Sequence, residues 1–189
     1  MHDDNAAPAA MTMDRNVATR TIAASCVGHW HGTGSVGACG LETWYNIHPL
    51  NANQKYVQVG FIRVKGFGFL PVSRLTYKGE RDADGSVITG YTRNANKLEG
   101  EPGGGPTTYT GTLSSIDANA LKATYDVQGR GPSRAVSGTI VLDGRAMTEV
   151  VERTGGQGGT FRLSSTKVSD EVQEIVACGC VNIDGPSRV

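Results

Sequence analysis

The sequence lacks an excess of charge of either sign and also lacks long hydrophobic runs. Its 189 residues include 18 basic and 18 acidic side chains, with no long stretch of one sign. Nucleic acids usually select a basic face or stripe, so no nucleic-acid partner is predicted. No segment approaches the roughly 18–20 consecutive apolar residues that a membrane-spanning helix requires. We therefore predict no membrane partner either.

The N-terminus lacks the features of a secretory signal. Residues 1–16 open with acidic side chains and contain no apolar core region. We expect a cytoplasmic protein, although a mature form without its signal peptide would look the same. Residues 1–20 show no strand alternation and predict a short flexible arm, with a short helix over 11–19 as the alternative. Residues 21–189 have the length of a single domain.

Helical periodicity is absent along the chain, except over 170–177, whereas short apolar runs recur between turn residues. The 26 glycines give about twice the usual share of about 7% and have no collagen period. Pairs such as Asp84-Gly85 and Asp143-Gly144 are typical of tight hairpin turns. Alternation of apolar and polar residues, clearest over 120–128, indicates half-buried strands. The predicted strands are 22–35, 41–48, 55–65, 69–79, 86–94, 107–116, 120–128, 134–142, 146–154 and 160–168.

The connections between these strands are nearly all short, and none contains a helical crossover. Short sequential hairpins favour an all-β, antiparallel, up-and-down arrangement of eight to ten strands. Such a sheet gains most by closing into a barrel, because closure removes its exposed edges. A two-layer sandwich is the alternative. Residues 101–106, with three glycines between two prolines, predict a loop at the rim of the barrel.

The first predicted strand carries a short motif of one tryptophan among spaced glycines. Gly28, Trp30, Gly32 and Gly34 follow the pattern G-x-W-x-G-x-G. This segment resembles the first strand of calycins, the group of lipocalins, fatty-acid-binding proteins and nitrobindin-like barrels. The resemblance implies a calycin-like barrel in which Trp30 closes one end.

The histidines depart from the nitrobindin-like pattern, in which a histidine late in the chain binds haem. This sequence has histidines only at positions 2, 29, 31 and 48, so haem is not expected. His29 and His31 share one face of their strand, and His48 could complete a metal site with them. The resemblance points Trp30 inward and therefore points this pair outward. We predict neither a metal nor any other cofactor, so the purified protein should show no Soret band.

Four cysteines form a second group of candidate residues. Cys26 and Cys39 flank the tryptophan motif, and Cys178 and Cys180 lie near the C-terminus. Their spacing fits a structural zinc site poorly. Free thiols, as expected of a cytoplasmic protein, are the favoured interpretation, with two disulfides or a metal site as alternatives.

Aromatic residues occur on nearly every predicted strand and could line an internal pocket. Such a pocket combines aromatic walls with a few polar groups that orient a ligand. An ordinary barrel core would have the same composition, so both interpretations stay open. The predicted ligand-binding residues are Trp30, Trp44, Tyr56, Tyr77, Tyr91 and Tyr109, with Tyr45 beside Trp44.

Charged residues within strands are the candidates for chemistry. Glu149 shares a face with Met147 and Val151, and an apolar setting would raise its pKa and suit it to acid–base catalysis. Arg63 shares a face with apolar residues of its strand and could anchor an acidic ligand group. We predict Glu149, Arg63 and Tyr125 as catalytic residues if the barrel is an enzyme.

Two functions follow from this pattern. The first is a carrier or sequestering protein for a small apolar or aromatic molecule. The second is a cofactor-free cyclase or isomerase that folds and polarises a substrate in the same cavity. A structural or protein-interaction module is a third option, and a homo-oligomer is left open. An architecture alone does not choose among them.

Overall fold

A computed structural model of the protein describes residues 15–65, 73–95, 97, 101–102, 104–129, 131–153, 160–177 and 181–185. The described chain contains one helix, ten barrel strands and a C-terminal hairpin. The helix is α1 (Arg15–Ser25). The barrel strands are β1 (Gly28–Val36), β2 (Cys39–Ile47), β3 (Lys55–Lys65), β4 (Ser73–Asp82), β5 (Val87–Asn94), β6 (Thr107–Ser115), β7 (Ala120–Gly129), β8 (Gly131–Asp143), β9 (Ala146–Arg153) and β10 (Phe161–Ser169). The hairpin is β11 (Ile175–Ala177) and β12 (Val181–Asp184).

The ten strands form a closed barrel in which every neighbour is antiparallel. Each strand pairs with the strands before and after it in the chain, and β1 pairs with β10 to close the sheet. The closing register runs from His29 opposite Ser169 to Val36 opposite Phe161. The prediction of an all-β, antiparallel, up-and-down barrel of eight to ten strands is confirmed, and the sandwich alternative is excluded.

The helix covers one end of the barrel and corrects the predicted start of the first strand. Residues 22–25, assigned to a strand from the sequence, form the last turn of α1. Buried side chains recur at helical spacing along α1 and just after its C-terminal end. They are Ala18, Thr19, Ile22, Ala23 and Cys26. The carbonyl group of Thr19 lies against Gly85, in the turn between β4 and β5. The end with α1 is called the floor below.

Trp30 is fully buried at this floor and links it to the barrel wall. Its indole Nε1 donates a hydrogen bond to the carbonyl oxygen of Cys26 at 2.7 Å. The Tyr45 ring stacks parallel to the indole, with centroids 6.1 Å apart. The Lys167 ammonium group lies over the Trp30 ring, 5.5 Å from the ring centroid. The same group donates a hydrogen bond to the carbonyl oxygen of Ser25. The side chains of Trp30 and Lys167 therefore tie the C-terminal end of the helix to the barrel wall.

The C-terminal hairpin packs on the outside of the barrel. The sequence suggested helical periodicity over 170–177, but residues 175–177 form strand β11 of this hairpin. Ile175 of β11 packs with Phe61 on the outer face of β3. A polar cluster beside this contact is centred on Asn46, whose Nδ2 donates to Asp184 Oδ2 at 2.8 Å. His48 Nε2 lies 2.7 Å from the same carboxylate oxygen, and His29 Nδ1 lies 2.8 Å from Asn46 Oδ1. The outer face of β2 and β3 is thus a second, smaller packing surface.

We predict that Trp30→Ala lowers the free energy of unfolding by about 3–5 kcal/mol, as for other buried aromatic residues replaced by alanine. Tyr91→Ala is the control, since Tyr91 is 39% exposed on the outer face, and it should cost less than about 1 kcal/mol. Equilibrium denaturant titrations measure both values. Equal losses in the two variants would mean that Trp30 does not hold the floor together.

Candidate functional site

The barrel encloses a cavity of about 680 Å³. It begins at the floor, where Ile22, Ala23 and Cys26 line it, and extends to Gly105 and Thr107 at the opposite end. Gly105 belongs to the loop 101–106, which the sequence analysis assigned to the rim. This volume is within the range of pockets that bind small organic molecules.

Five tyrosines from five different strands line the cavity: Tyr45, Tyr56, Tyr77, Tyr109 and Tyr125. They alternate with outward residues, as the period of two along each strand requires. Burial raises the pKa of the Tyr45, Tyr77, Tyr109 and Tyr125 hydroxyls. These groups therefore remain protonated at neutral pH and can donate hydrogen bonds to a ligand.

Glycines on the neighbouring strands make room for the tyrosine rings. Gly60 is paired with Tyr77, and Gly111 is paired with Tyr125. A Cβ atom on Gly111 would lie 2.5 Å from the Tyr125 ring, far inside normal contact distance. Each ring therefore lies against the backbone of the next strand, and the centre of the barrel stays open.

Glu149 lies inside the barrel and is hydrogen-bonded to Tyr125. The Tyr125 hydroxyl donates to Glu149 Oε1 over 3.4 Å, which is a long hydrogen bond. In the strand register Glu149 stands between Ile140 and Leu163, which also line the cavity. Burial raises the pKa of Glu149 to about 7, and the hydrogen bond from Tyr125 offsets this only in part. A carboxyl group of this kind can accept or release a proton near neutral pH.

A second set of polar groups lies on the wall formed by β2, β3, β4 and β10. The hydroxyl oxygens of Thr43, Tyr45 and Ser165 are buried and form no hydrogen bond of normal geometry within the described part of the chain. Nearby, Gln58 Nε2 donates to the Tyr77 hydroxyl at 3.3 Å. Buried polar atoms normally have partners, and Thr43 and Tyr45 line the cavity, so these two hydroxyl groups can bind a polar group of a ligand or a water molecule.

Three residues predicted for the pocket lie on the outer face instead. Trp44, like Ile183 of the C-terminal hairpin, packs against the cluster of Phe61 and Ile175, and Arg63 lies 5.5 Å from the centroid of the Trp44 ring. Tyr91 also points outward. Phe61, which shares a face with Arg63, belongs to the second packing surface and not to the interior, which the alternation alone did not reveal. Trp30 lies at the floor and is not among the cavity-lining residues.

Arg81 is a cavity residue that was not predicted from the sequence. The predicted fourth strand ended at residue 79, so Arg81 fell outside it. The strand continues to Asp82, and the inward positions Leu75, Tyr77 and Gly79 lead directly to Arg81. Continued alternation into the turn was the signal that could have identified it.

The histidines and the two described cysteines do not form a common site. Cys26 is a free thiol at the floor, and Cys39 is a free thiol at the opposite end of β1. His31 Nε2 lies 3.2 Å from Glu42, while His29 and His48 belong to the outer polar cluster around Asn46. Among the described residues there is no group of three or more metal-binding side chains. Cys178 and Cys180 lie outside the described residues.

No protein-family model matches the chain, and no curated protein matches it either. No helix in the described ranges is long and apolar enough to cross a membrane. The function therefore has to be inferred from the cavity itself.

The glycine beneath Tyr77 offers a test of the cavity geometry. A Cβ atom on Gly60 would overlap the Tyr77 ring, so Gly60→Ala should force the ring into the cavity and cost about 1–3 kcal/mol of stability. Gly40→Ala is the matched control in β2, because its Cβ atom would find its nearest neighbour at 3.8 Å. Thermal unfolding of both variants checks this, and a stability of Gly60→Ala equal to that of Gly40→Ala would contradict the described packing.

The carboxyl group of Glu149 predicts a pH dependence of stability. In the folded protein Glu149 keeps its proton up to a pH of about 7, whereas in the unfolded chain Glu149 loses it near the ordinary pKa of 4.5. The free energy of unfolding should therefore fall as the pH rises from 4.5 to 7, by at most about 3 kcal/mol, with no further loss above that.

Glu149→Gln should remove this contribution, so the variant gains stability over the wild type at pH 8 but not at pH 4. The exposed Glu152 of the same strand provides the control, since Glu152→Gln should leave the profile unchanged. Denaturant titrations across this range give the comparison. A wild-type profile identical to that of Glu149→Gln would show that Glu149 is ionised in the folded protein.

Proposed function

We propose that this protein is a calycin-like barrel that binds a small, largely apolar molecule in its interior. The cavity of about 680 Å³, lined by five tyrosines and one buried carboxyl group, is the observation that carries the proposal. A protein whose barrel serves only as a scaffold fills its interior with side chains, because empty volume costs stability. Here glycines at the cross-strand positions keep that volume open.

The lining predicts the chemistry of the ligand. Aliphatic side chains such as Ile62, Leu75 and Leu113 favour an apolar body, and the tyrosine rings favour flat or aromatic groups. Protonated Glu149 can donate a hydrogen bond to a carbonyl or hydroxyl oxygen of a ligand at mid-cavity. The Tyr125 hydroxyl, whose hydrogen bond to Glu149 is long, can donate to the same oxygen instead. A compound without such an oxygen would leave the Glu149 proton unpaired at a cost.

A cyclase or isomerase activity without a cofactor is the second candidate, and the Glu149–Tyr125 pair favours it. A carboxyl group that titrates near neutral pH can remove a proton next to a carbonyl group. The Tyr125 hydroxyl, close beside it, can donate a hydrogen bond to the oxygen on which negative charge develops. The cavity would hold the substrate in the reactive conformation.

Binding is tested with Nile red, a neutral fluorescent dye that becomes emissive in apolar surroundings. We expect saturable binding of one dye per chain and displacement by an apolar ketone such as β-tetralone. Tyr125→Phe should weaken the ketone about three- to tenfold, the usual effect of losing one neutral hydrogen bond. Tyr91→Phe, which changes a tyrosine on the outer face, is the control and should have no effect.

The enzyme candidate is tested separately by proton exchange. If Glu149 acts as a base, β-tetralone in deuterated buffer should exchange its acidic protons faster with the wild type than with Glu149→Gln, as followed by NMR. Exchange at equal rates would leave binding as the function. Absence of any Nile red site would refute both the carrier and the enzyme.

A further inference from the structure

Arg81 is a cation that lines the barrel cavity, and no carboxylate in the described part of the chain is hydrogen-bonded to it; Asp84 acts on it only through its charge. Its guanidinium group lines the cavity beside α1. The Nε atom donates to the carbonyl oxygen of Gly85 at 3.0 Å, and Nη2 is buried without a hydrogen-bond partner. One edge of the guanidinium group is therefore used by the protein, and the other is available.

The carboxylates around Arg81 are turned to other partners. Asp84 accepts hydrogen bonds from the amide and the hydroxyl of Ser86, at 2.9 and 2.7 Å. Glu80 precedes Arg81, is also among the residues that line the cavity, and is exposed. Glu149, the buried carboxyl group of the cavity, bonds to Tyr125. None of these three carboxyl groups is hydrogen-bonded to Arg81.

The other groups close to Arg81 are neutral. Burial keeps the Cys26 thiol and the Tyr125 hydroxyl protonated, because it raises the pKa of both. Tyr56 stands directly opposite Arg81 in the strand register. Burial lowers the pKa of Arg81 as well, but a guanidinium group still carries its charge at neutral pH. The floor of the cavity is therefore a positive site with apolar walls.

A charged donor that is buried without a hydrogen-bond partner destabilises the folded protein. An arginine kept in this position is explained by an anion that reaches it. Its planar donor edge matches the two oxygens of a carboxylate.

We propose that Arg81 is the anion-binding residue of the cavity and that the ligand is a small organic acid. The carboxylate lies at the floor against Nη2 of Arg81, and the apolar body extends past the tyrosines towards Gly105. This inference rests on the proposed binding function and adds the charge and orientation of the ligand. The acid enters with its charged end first, and Glu149 binds a second, neutral oxygen along its length.

The experiment compares an acid with its neutral ester as competitors of Nile red. Dodecanoate should displace the dye from the wild type at a concentration at least tenfold lower than methyl dodecanoate does. Arg81→Gln should weaken dodecanoate about tenfold or more, the effect expected for a hydrogen bond to a charged group, and leave the ester unchanged. Arg63→Gln removes the same charge from the outer face and should change neither competitor.

The melting temperature without ligand separates binding from a structural role. Arg81→Gln should melt at or above the wild-type temperature, because it removes a charged donor that is buried without a hydrogen-bond partner, and dodecanoate should stabilise only the wild type. A lower melting temperature together with an equal loss for acid and ester would show that Arg81 is structural and overturn the inference.

Further comparisons test the anion site without relying on Arg81→Gln. If wild-type protein binds Nile red but dodecanoate is no better than its ester, the anion site is refuted and the binding function stands. If Nile red does not bind, the proposed function itself fails. Arg81→Lys keeps the charge but loses the planar edge, and should retain part of the preference for the acid.

Discussion

The cavity depends on a single constraint, which is that tyrosine and glycine face each other across neighbouring strands. A barrel of ten strands with large side chains at every inward position would fill its own interior. The pairs Gly60–Tyr77 and Gly111–Tyr125 prevent this, because each ring occupies the space where the glycine has no side chain. The aromatic surface therefore forms the wall, and the hydroxyl groups face inward without blocking the centre.

The remaining polar groups of the interior follow from this arrangement. With the rings against the wall, Glu149 is surrounded by hydroxyl groups and not by cations, and its proton is retained. Arg81 lies at the floor and is not hydrogen-bonded to Glu149, and the Tyr125 hydroxyl interacts with both groups. A buried acid and a buried base would normally neutralise each other as an ion pair. Their separation gives the cavity an anion-accepting end and a hydrogen-bonding middle.

The sequence predicted the barrel well because its strands alternate regularly and its turns use Asp-Gly pairs. Strand β3 was predicted with the observed bounds, and most others within a few residues. The first strand was placed too early, since the buried residues of α1 also fit a short apolar run. The alternation that located each strand could not say which of its two faces lies inside.

Because alternation does not identify the inner face of a strand, only some of the site residues could be predicted from the sequence. Tyr56, Tyr77, Tyr109, Tyr125 and Glu149 were expected at the pocket, and the structure brings them to the cavity. Trp44 and Arg63 were assigned to the wrong side, because the outer face of β2 and β3 is apolar too. It is apolar because the C-terminal hairpin covers it, and a contact between residues so distant in sequence leaves no local signal. Arg81 was missed for the opposite reason, since a charged residue beside a turn usually faces solvent.

Closure of the sheet has a consequence for how the chain reaches this structure. Strands β1 to β10 can assemble one hairpin at a time, each through contacts that are local in sequence. The final pair joins residues 29 and 169, so it must wait for nearly the whole chain and carries a large loop-closure cost. Until then both terminal strands present free edges that can pair with another molecule. The time between synthesis of β1 and arrival of β10 is thus the interval in which we expect this protein to be most exposed to aggregation.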